Sequence, residues 1–318
     1  MITERLCYNK GALLGYKIIC ESTLYRIGES ILKKKQGKYA ALFLFPYLLI
    51  FFIFRLGPSI AGLFISFTNW KLAAKPKFIG FSNFTRLFKD EYFLVSMVNT
   101  FKFFLMILPV LICGSLLLAI LLNQKMKFKN VARAISIIPY VLIPAVVGIM
   151  WTWLYDNNFG LLNYYIKKLG GSTVYWLTDE KSAVLSVSIV VIWSYIGYNM
   201  VLFLAGLQGI PRELYEAAEI DGATKVQTFT RITLPLLSSV TSMVVTLTLV
   251  NVIQLFDQIY VMTKGGPGTA TLTMVQYLYT SAFQNYNLGY GATVEVMILV
   301  VLIGMILIKN KLMKTYER

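Results

Sequence analysis

The chain has 15 acidic residues and no histidine, which narrows its chemistry at once. Without imidazole there is no His metal site, no Ser–His or Cys–His nucleophile pair and no His proton relay. Cys7, Cys20 and Cys113 form no CxxC pair, so neither a zinc site nor a disulfide framework is expected. Two constellations remain. Glu213, Glu216, Glu219 and Asp221 cluster at helical spacing in a polar segment, where solvation accounts for them better than acid–base work. Asn251, Gln254 and Gln258 recur at i, i+3 and i+7, with Thr248 before them and Asp257 beside them. Amides donate and accept, which suits a ligand rich in hydroxyls. Trp193, Tyr195, Tyr198 and Asn199 lie in the preceding apolar run, and aromatic faces pack on the apolar faces of pyranose rings. The same polar groups have a second use as helix–helix hydrogen bonds, each worth about 0.6 kcal/mol. Both uses stay open at this point.

The elements that carry these residues are membrane spans. Of 318 residues, 57% are hydrophobic and 14% charged, against roughly 45–50% and 25% in soluble domains. This excludes the usual soluble enzyme folds, and it excludes disorder. Apolar runs long enough to cross a bilayer are expected near Tyr39–Phe67, Phe93–Leu122, Ala132–Leu154, Ala183–Leu207, Ile232–Val261 and Gly289–Ile308. The fold class is therefore all-α and polytopic, with about six spans. Pro46, Pro58, Pro139 and Pro144 fall inside these runs, where neighbouring helices or water can satisfy the freed carbonyls. Arg55, Lys102 and Glu295 also fall inside them; snorkelling or a salt bridge is the expected role.

Charge sets the expected orientation. Segments 1–38, 125–133, 210–231 and 309–318 hold 8, 4, 3 and 4 Lys or Arg, whereas 70–92, 156–181 and 264–288 hold 5, 3 and 1. The positive-inside rule then puts both termini in the cytoplasm. The net charge of +15 is read as contact with membrane lipid and not with nucleic acid. Residues 1–37 lack a long apolar core and read as a basic cytoplasmic lead-in near the headgroups, not a cleaved signal. Phe78, Phe81, Phe84 and Phe88 suit a short amphipathic helix at the outer surface.

The loop 210–231 is the most informative segment. Pro211 suits a helix start and Glu213 its first turn. Leu214, Ala217, Ala218 and Asp221 share one side, and Ala217 and Ala218 make a thin face for another protein. Gly222 ends the helix, and a second short helix is expected over Thr224–Arg231, with Pro235 opening the next span. The product is a helix–Gly–helix elbow.

The pattern Glu216-Ala217-Ala218, three residues, Gly222, nine residues, then Ile232-x-Leu234-Pro235 resembles the EAA loop of permease subunits of ATP-binding-cassette importers with the type I fold. The runs Leu255-Phe256-Asp257-Gln258, Gly265-Gly266-Pro267-Gly268, Leu288-Gly289-Tyr290-Gly291 and Ile79-Gly80-Phe81-Ser82-Asn83-Phe84 look like the first permease of carbohydrate importers. The resemblance covers about residues 38–310, the expected permease domain, leaving 311–318 as a cytoplasmic tail. It implies a coupling helix at Glu216, Ala217, Ala218, Asp221 and Gly222, docked on a separate ATPase. It implies sugar contacts at Tyr195, Tyr198, Thr248, Asn251, Val252, Gln254 and Leu255, of which Val252 and Leu255 depart from a polar pattern; Asp257, nearer the outer end, is a further candidate for the path, with a gate or a partner as its other use. It also implies a second related permease, two ATPase subunits carrying ATP and Mg, an extracytoplasmic solute-binding protein, and residence in the cytoplasmic membrane. The chain itself contains no G-x-x-x-x-G-K-[ST], and Gly265–Thr269 reads as a turn, so no cofactor is expected on it and no ATP hydrolysis by it alone. The large outer domain of maltose-type permeases is missing, since loop 70–92 is short.

Two other readings are weaker. An ion-coupled secondary transporter tends to use embedded carboxylates in repeated halves; only one or two carboxylates fall in the spans, no repeat is visible, and the loop pattern is left unexplained. An importer of glycerol phosphate or a polyol would want a cation for an anionic cargo, and the stripe of spans four and five has none.

Overall fold

A computed structural model of the chain describes residues 42–314, apart from 73 and 125. The expected basic lead-in at 1–37 and residues 315–318 of the expected tail lie outside the described residues. The described chain falls into two units divided at Ala61/Gly62.

The first unit carries most of α1, Leu42–Ile65, a helix long and apolar enough to span. A π-turn at Phe52–Leu56 interrupts it, with the Gly57 N–H bonded to the Phe52 carbonyl. Pro58 follows directly. It has no N–H to give and its ring crowds the preceding turn, so the widened register absorbs the misfit.

The second unit is helical, with one isolated bridge, Thr68 to Phe78, among its described residues. In order come α2 (Ser82–Leu87), α3 (Glu91–Asn123), α4 (Lys129–Val141), α5 (Pro144–Leu154), α6 (Leu161–Lys168), α7 (Glu180–Gln208), α8 (Arg212–Ile220), α9 (Lys225–Thr228), α10 (Ser238–Ile253), α11 (Asp257–Met262), α12 (Met274–Tyr279) and α13 (Leu288–Lys314). The apolar lengths α3, α7, α10 with α11, and α13 each suffice to cross a bilayer.

The third expected span is not one helix. α4 and α5 meet at a 98° bend. Pro144 pushes the residue before it out of the helical region, and Leu142 and Ile143 are accordingly extended, at ψ 146° and 125°. The fifth span also breaks, over Gln254–Phe256, between α10 and α11.

Side-chain caps start the two longest helices. Asp90 accepts from the Tyr92 and Phe93 amides at the head of α3, and Asp179 accepts from Ser182 at the head of α7. Such caps are worth about 1 kcal/mol each. The short amphipathic helix expected in loop 70–92 is α2. Its Asn83 is 7% exposed and donates to the Ser66 and Thr68 carbonyls, while Phe67, Phe81 and Phe84 pack ring to ring.

Lipid is as apolar as leucine, so spans associate through close packing and hydrogen bonds and not through hydrophobic burial. α7 shows this. Gly197 lets it approach α4 so closely that an added Cβ would lie 1.7 Å from the Ser136 carbonyl oxygen. Ser115 of α3 donates to the Ile196 carbonyl at 3.1 Å. Around these contacts Phe103, Ile107, Leu111, Val187, Val190 and Ile259 form one core, and Ala119, Met200, Phe203, Leu207, Leu237 and Val244 a second. Leu105, Leu117, Leu121, Ile303 and Leu307 stay exposed, an apolar girdle matched to hydrocarbon.

The two ends of the bundle differ. At one end the segments after α1, α5 and α11 meet: Tyr277 and Tyr290 both donate to the Asp90 carboxylate, and Thr178 and Pro267 line one cleft. At the other end Lys309 of α13 donates to Ser242 and Thr246 of α10 at 2.8 Å each. Arg133 donates to the Leu122 carbonyl, closing the end of α3. The 210–231 loop belongs to this second end, where Tyr215 packs on the core of Leu122 and Leu207.

Candidate functional site

Two places concentrate the residues singled out from sequence. The first is the elbow. α8 begins at Arg212 with Pro211 as its cap, one position later than the sequence suggested. Its end is a Schellman motif: the Gly222 N–H bonds to the Glu219 carbonyl and the Ala223 N–H to the Ala218 carbonyl. Gly222 has φ +72°, the left-handed geometry expected of it. Thr224 and Gln227 then form a capping box that starts α9. The second helix is not uniform, because it passes at Phe229–Thr233 into a π-turn just ahead of Pro235, as α1 does ahead of Pro58.

The elbow presents a different face from the one sequence spacing implied. α8 turns Tyr215 and Ala218 inward; Ala218 is 7% exposed, and the Tyr215 hydroxyl hydrogen-bonds to Thr233 Oγ1 at 3.1 Å. Ala218 thus serves the chain's own packing and does not share a free thin face with Ala217. Glu216, Ala217, Asp221 and Gly222 are exposed. Around them Leu214, Ile220 and Val226 are also exposed.

The second place lies among the spans, where the α4–α5 bend meets α7 and α11. A cavity of about 280 Å³ is lined there by Pro139, Tyr140, Ser194, Tyr195 and Gln258 among others. Gln258 is buried, with a relative exposure of 3%. Tyr198 stacks on Tyr140, centroids 4.3 Å apart and planes at 14°, and Tyr195 meets the same ring edge-on at 5.7 Å. The three tyrosines form one aromatic cluster, of which Tyr140 and Tyr195 line the cavity and Tyr198 backs Tyr140. A cavity walled by rings, a hydroxyl and an amide can seat an apolar ring face and hydrogen-bond hydroxyls at its edge.

The remaining candidates divide. Thr248 is buried and accepts from Asn199 Nδ2 at 3.1 Å, so it ties α7 to α10. Asn251 is half-buried, and Gln254 and Asp257 are exposed at the break between α10 and α11. Neither Asn251 nor Gln254 has a side-chain hydrogen bond among the described residues. Lys102 donates to Asn99 Oδ1, and it does not pair with Glu295. Tyr140 was missed by sequence reasoning. Its signal was the pair Pro139 and Pro144 flanking it, which mark a bend and so a place where a side chain leaves the helical pattern.

Comparisons with known proteins agree with this architecture. The family model described as "Binding-protein-dependent transport system inner membrane component" matches residues 39–311. The arabinooligosaccharides transport system permease protein AraP of Bacillus subtilis is 36% identical over 287 residues, covering 89% of this chain and 90% of that one. The sn-glycerol-3-phosphate transport system permease protein UgpA of Yersinia pestis is 34% identical over 281 residues, with 87% and 94% covered. A chain in the crystal structure of a bacterial alginate ABC transporter, in complex with alginate pentasaccharide-bound periplasmic protein, superposes with a TM-score of 0.79 at 23% identity, covering 91% of this chain and 98% of that one. That last likeness is one of fold. With the family match spanning nearly all of the described chain, the conclusion is that this chain belongs to the binding-protein-dependent transport system inner membrane component family and is a permease subunit of an ABC transporter.

Proposed function

We propose that this permease forms half of the translocation pathway of an ATP-driven sugar importer, with an oligosaccharide as cargo. The observation that carries the reading is the cavity where two broken spans meet: Tyr140, Tyr195, Ser194 and the buried Gln258 are its polar lining, Pro139, Leu142, Pro144 and Val147 its apolar lining, and no cation is among them. Neutral hydroxylated rings match such walls. A phosphate group, the cargo in the name of the Yersinia relative, would call for Arg or Lys there.

In this reading both termini and the elbow are cytoplasmic, and the Asp90 end faces outward. The membrane is the cytoplasmic one. A second, homologous permease supplies the other half of the path. Two ATPase subunits bind ATP and Mg, and an extracytoplasmic solute-binding protein delivers the sugar. Glu216, Ala217, Ala218, Asp221 and Gly222 make the coupling element: the exposed ones meet the ATPase, while Ala218 anchors the elbow to the spans. Closure of the ATPases on ATP would push the elbow, and Tyr215 would pass that displacement to the core of α3 and α7. Tyr195, Tyr198, Asn251, Gln254 and Asp257 line or flank the path. Thr248 holds its helices together.

Reconstitution tests this. The four-subunit transporter in liposomes, supplied with its binding protein, ATP and radiolabelled arabinotriose, should accumulate sugar only with ATP inside the cytoplasmic compartment. Uptake driven by an ion gradient without ATP would overturn it.

A further inference from the structure

A cleft at the Asp90 end is lined by a buried amide whose oxygen has no hydrogen-bond partner among the described residues. The cleft has a volume of about 530 Å³, and its walls include Tyr92, Tyr260, Lys264, Gln276, Tyr277 and Gln284. Gln276 is 2% exposed, yet among the described residues its Oε1 has no hydrogen-bond partner. Its backbone is accounted for, since the N–H bonds to Thr273 Oγ1 as the cap of α12. Buried amides in native proteins are almost always satisfied, so an orphan at a cleft wall points to a ligand that supplies the missing donor.

The other walls say what kind of ligand. Tyrosine rings, two glutamines and one lysine offer flat apolar faces together with donors and acceptors, and no carboxylate is among the lining residues. That set fits hydroxyl groups spaced around an apolar ring. The backbone holds the rim in place: Lys264 adopts φ +53°, a conformation rare outside glycine, with its N–H fixed to the Ile259 carbonyl at 2.8 Å.

A ladder of rings leads away from the cleft. Tyr260, one of its walls, stacks on Phe256 at 5.3 Å and meets Tyr279 edge-on at 5.2 Å, and Tyr279 meets Phe283 at 5.5 Å. Phe256 sits in the break between α10 and α11, beside Gln254 and Asp257. The ladder therefore joins an exposed ring, Phe283, to the place where the path residues lie.

We infer that this cleft is a second saccharide subsite, separate from the Tyr140–Tyr195 cavity, where an incoming oligosaccharide is held by Gln276 and passed along the Tyr260–Phe256 rings to the break. The inference rests on the carbohydrate reading above.

Photolabelling tests it. The assembled transporter in nanodiscs is irradiated with a diazirine derivative of arabinotriose, and the labelled peptides are mapped by mass spectrometry. Label is expected both in 272–287 and in 251–258, competed by unmodified arabinotriose. Gln276→Leu should cut the 272–287 label about five- to ten-fold, the loss of one hydrogen bond, and spare the 251–258 label. Leucine removes an unmet buried polar atom, so the variant should assemble and melt as the parent does. Should it fail to assemble, Gln284→Leu at the more exposed wall reads the same loss. Label confined to 251–258, or cleft label that survives both substitutions, overturns the subsite and leaves the importer standing. No label in either segment, together with no ATP-driven uptake of arabinotriose, removes the carbohydrate reading and the subsite with it.

Discussion

Asn199 Nδ2 donates to Thr248 Oγ1 at 3.1 Å, and each residue is 2% exposed. The bond crosses from α7 to α10 where both are closed to water. Thr248→Val keeps the shape and removes the acceptor, leaving the Asn199 amide unpaired at a cost of about 1–3 kcal/mol. The expected result is a lower thermal midpoint of the purified transporter with an unchanged half-saturating sugar concentration. Thr248→Ser should restore the midpoint. A variant of parental stability with impaired sugar affinity would return Thr248 to the substrate path.

Gly222 tests the elbow without steric confusion. Nothing lies within 4 Å of the Cβ that a substitution would add, so only its φ of +72° resists one. A β-branched residue in that region is strained by about 1–2 kcal/mol, and Asn tolerates it better. Gly222→Val should insert into the membrane and assemble normally yet lose transport coupled to ATP hydrolysis, while Gly222→Asn retains most of it. Measuring ATP hydrolysed per sugar imported separates the two. Full coupling in the Val variant would sink the assignment of Gly222 to the coupling element.

The parts of this fold that were legible in the sequence are those set by local chemistry. Long apolar runs must be helices in lipid, and Gly222, two residues beyond Ile220, must end the short helix before it. The unread parts are tertiary. The break at Gln254–Phe256 contains no Pro or Gly. It exists because Thr273, from a distant segment, donates to the Leu255 carbonyl at 2.9 Å and satisfies backbone that the helix has released. Once that break is made, the stripe Asn251, Gln254, Gln258 no longer shares a face. Gln258 turns into the cavity and Gln254 to the exposed side. Pro139 and Pro144 were visible, but a proline in a membrane run is as compatible with a tolerated kink as with a 98° turn. At Ala218 the periodicity put the residue on one side with Leu214, Ala217 and Asp221, and only the packing of Tyr215 shows that it turns inward instead.

Gly197 makes a sharper stability prediction. An added methyl would meet the Ser136 carbonyl carbon at 2.4 Å as well as its oxygen, and both are backbone. No rotamer change relieves that, so α4 and α7 would have to separate. Gly197→Ala should abolish recovery of the assembled transporter from membranes. Gly304→Ala, where nothing lies within 4 Å, should be recovered at parental yield.

Asp90 gives a pH dependence with a fixed sign. Burial opposes its charged form, but hydrogen bonds from Tyr277 and Tyr290 and from the Phe93 and Tyr92 amides outweigh this and hold its pKa below the ordinary value of 3.8. A carboxyl depressed on folding contributes stability above its unfolded pKa and loses it as pH falls through the folded one. The contribution is thus fully present at neutral pH and disappears only below pH 3.8. Asp90→Asn should lower the thermal midpoint at pH 7, and the gap to the parent should narrow as the pH falls below that value. A gap that stays constant with pH would show that the carboxylate's charge is not what the tyrosines hold.

Tyr140 decides whether the mid-span cavity is a sugar site. It is 41% exposed, so truncating it opens no core void. Its ring is nonetheless the centre of the aromatic wall, stacked on Tyr198 and edge-on to Tyr195. If that wall seats a sugar ring, the flat face matters and the hydroxyl does not. Tyr140→Phe should then import arabinotriose as the parent does. Tyr140→Ala should raise the half-saturating concentration about ten-fold, near the upper end of what one aromatic pair contributes. The ATPase activity stimulated by the binding protein should survive in both, because the elbow is untouched. The opposite pattern, with Phe as damaging as Ala, would assign the role to the hydroxyl. Parental affinity in Tyr140→Ala would move the sugar away from this cavity, to the exposed Gln254–Asp257 break alone.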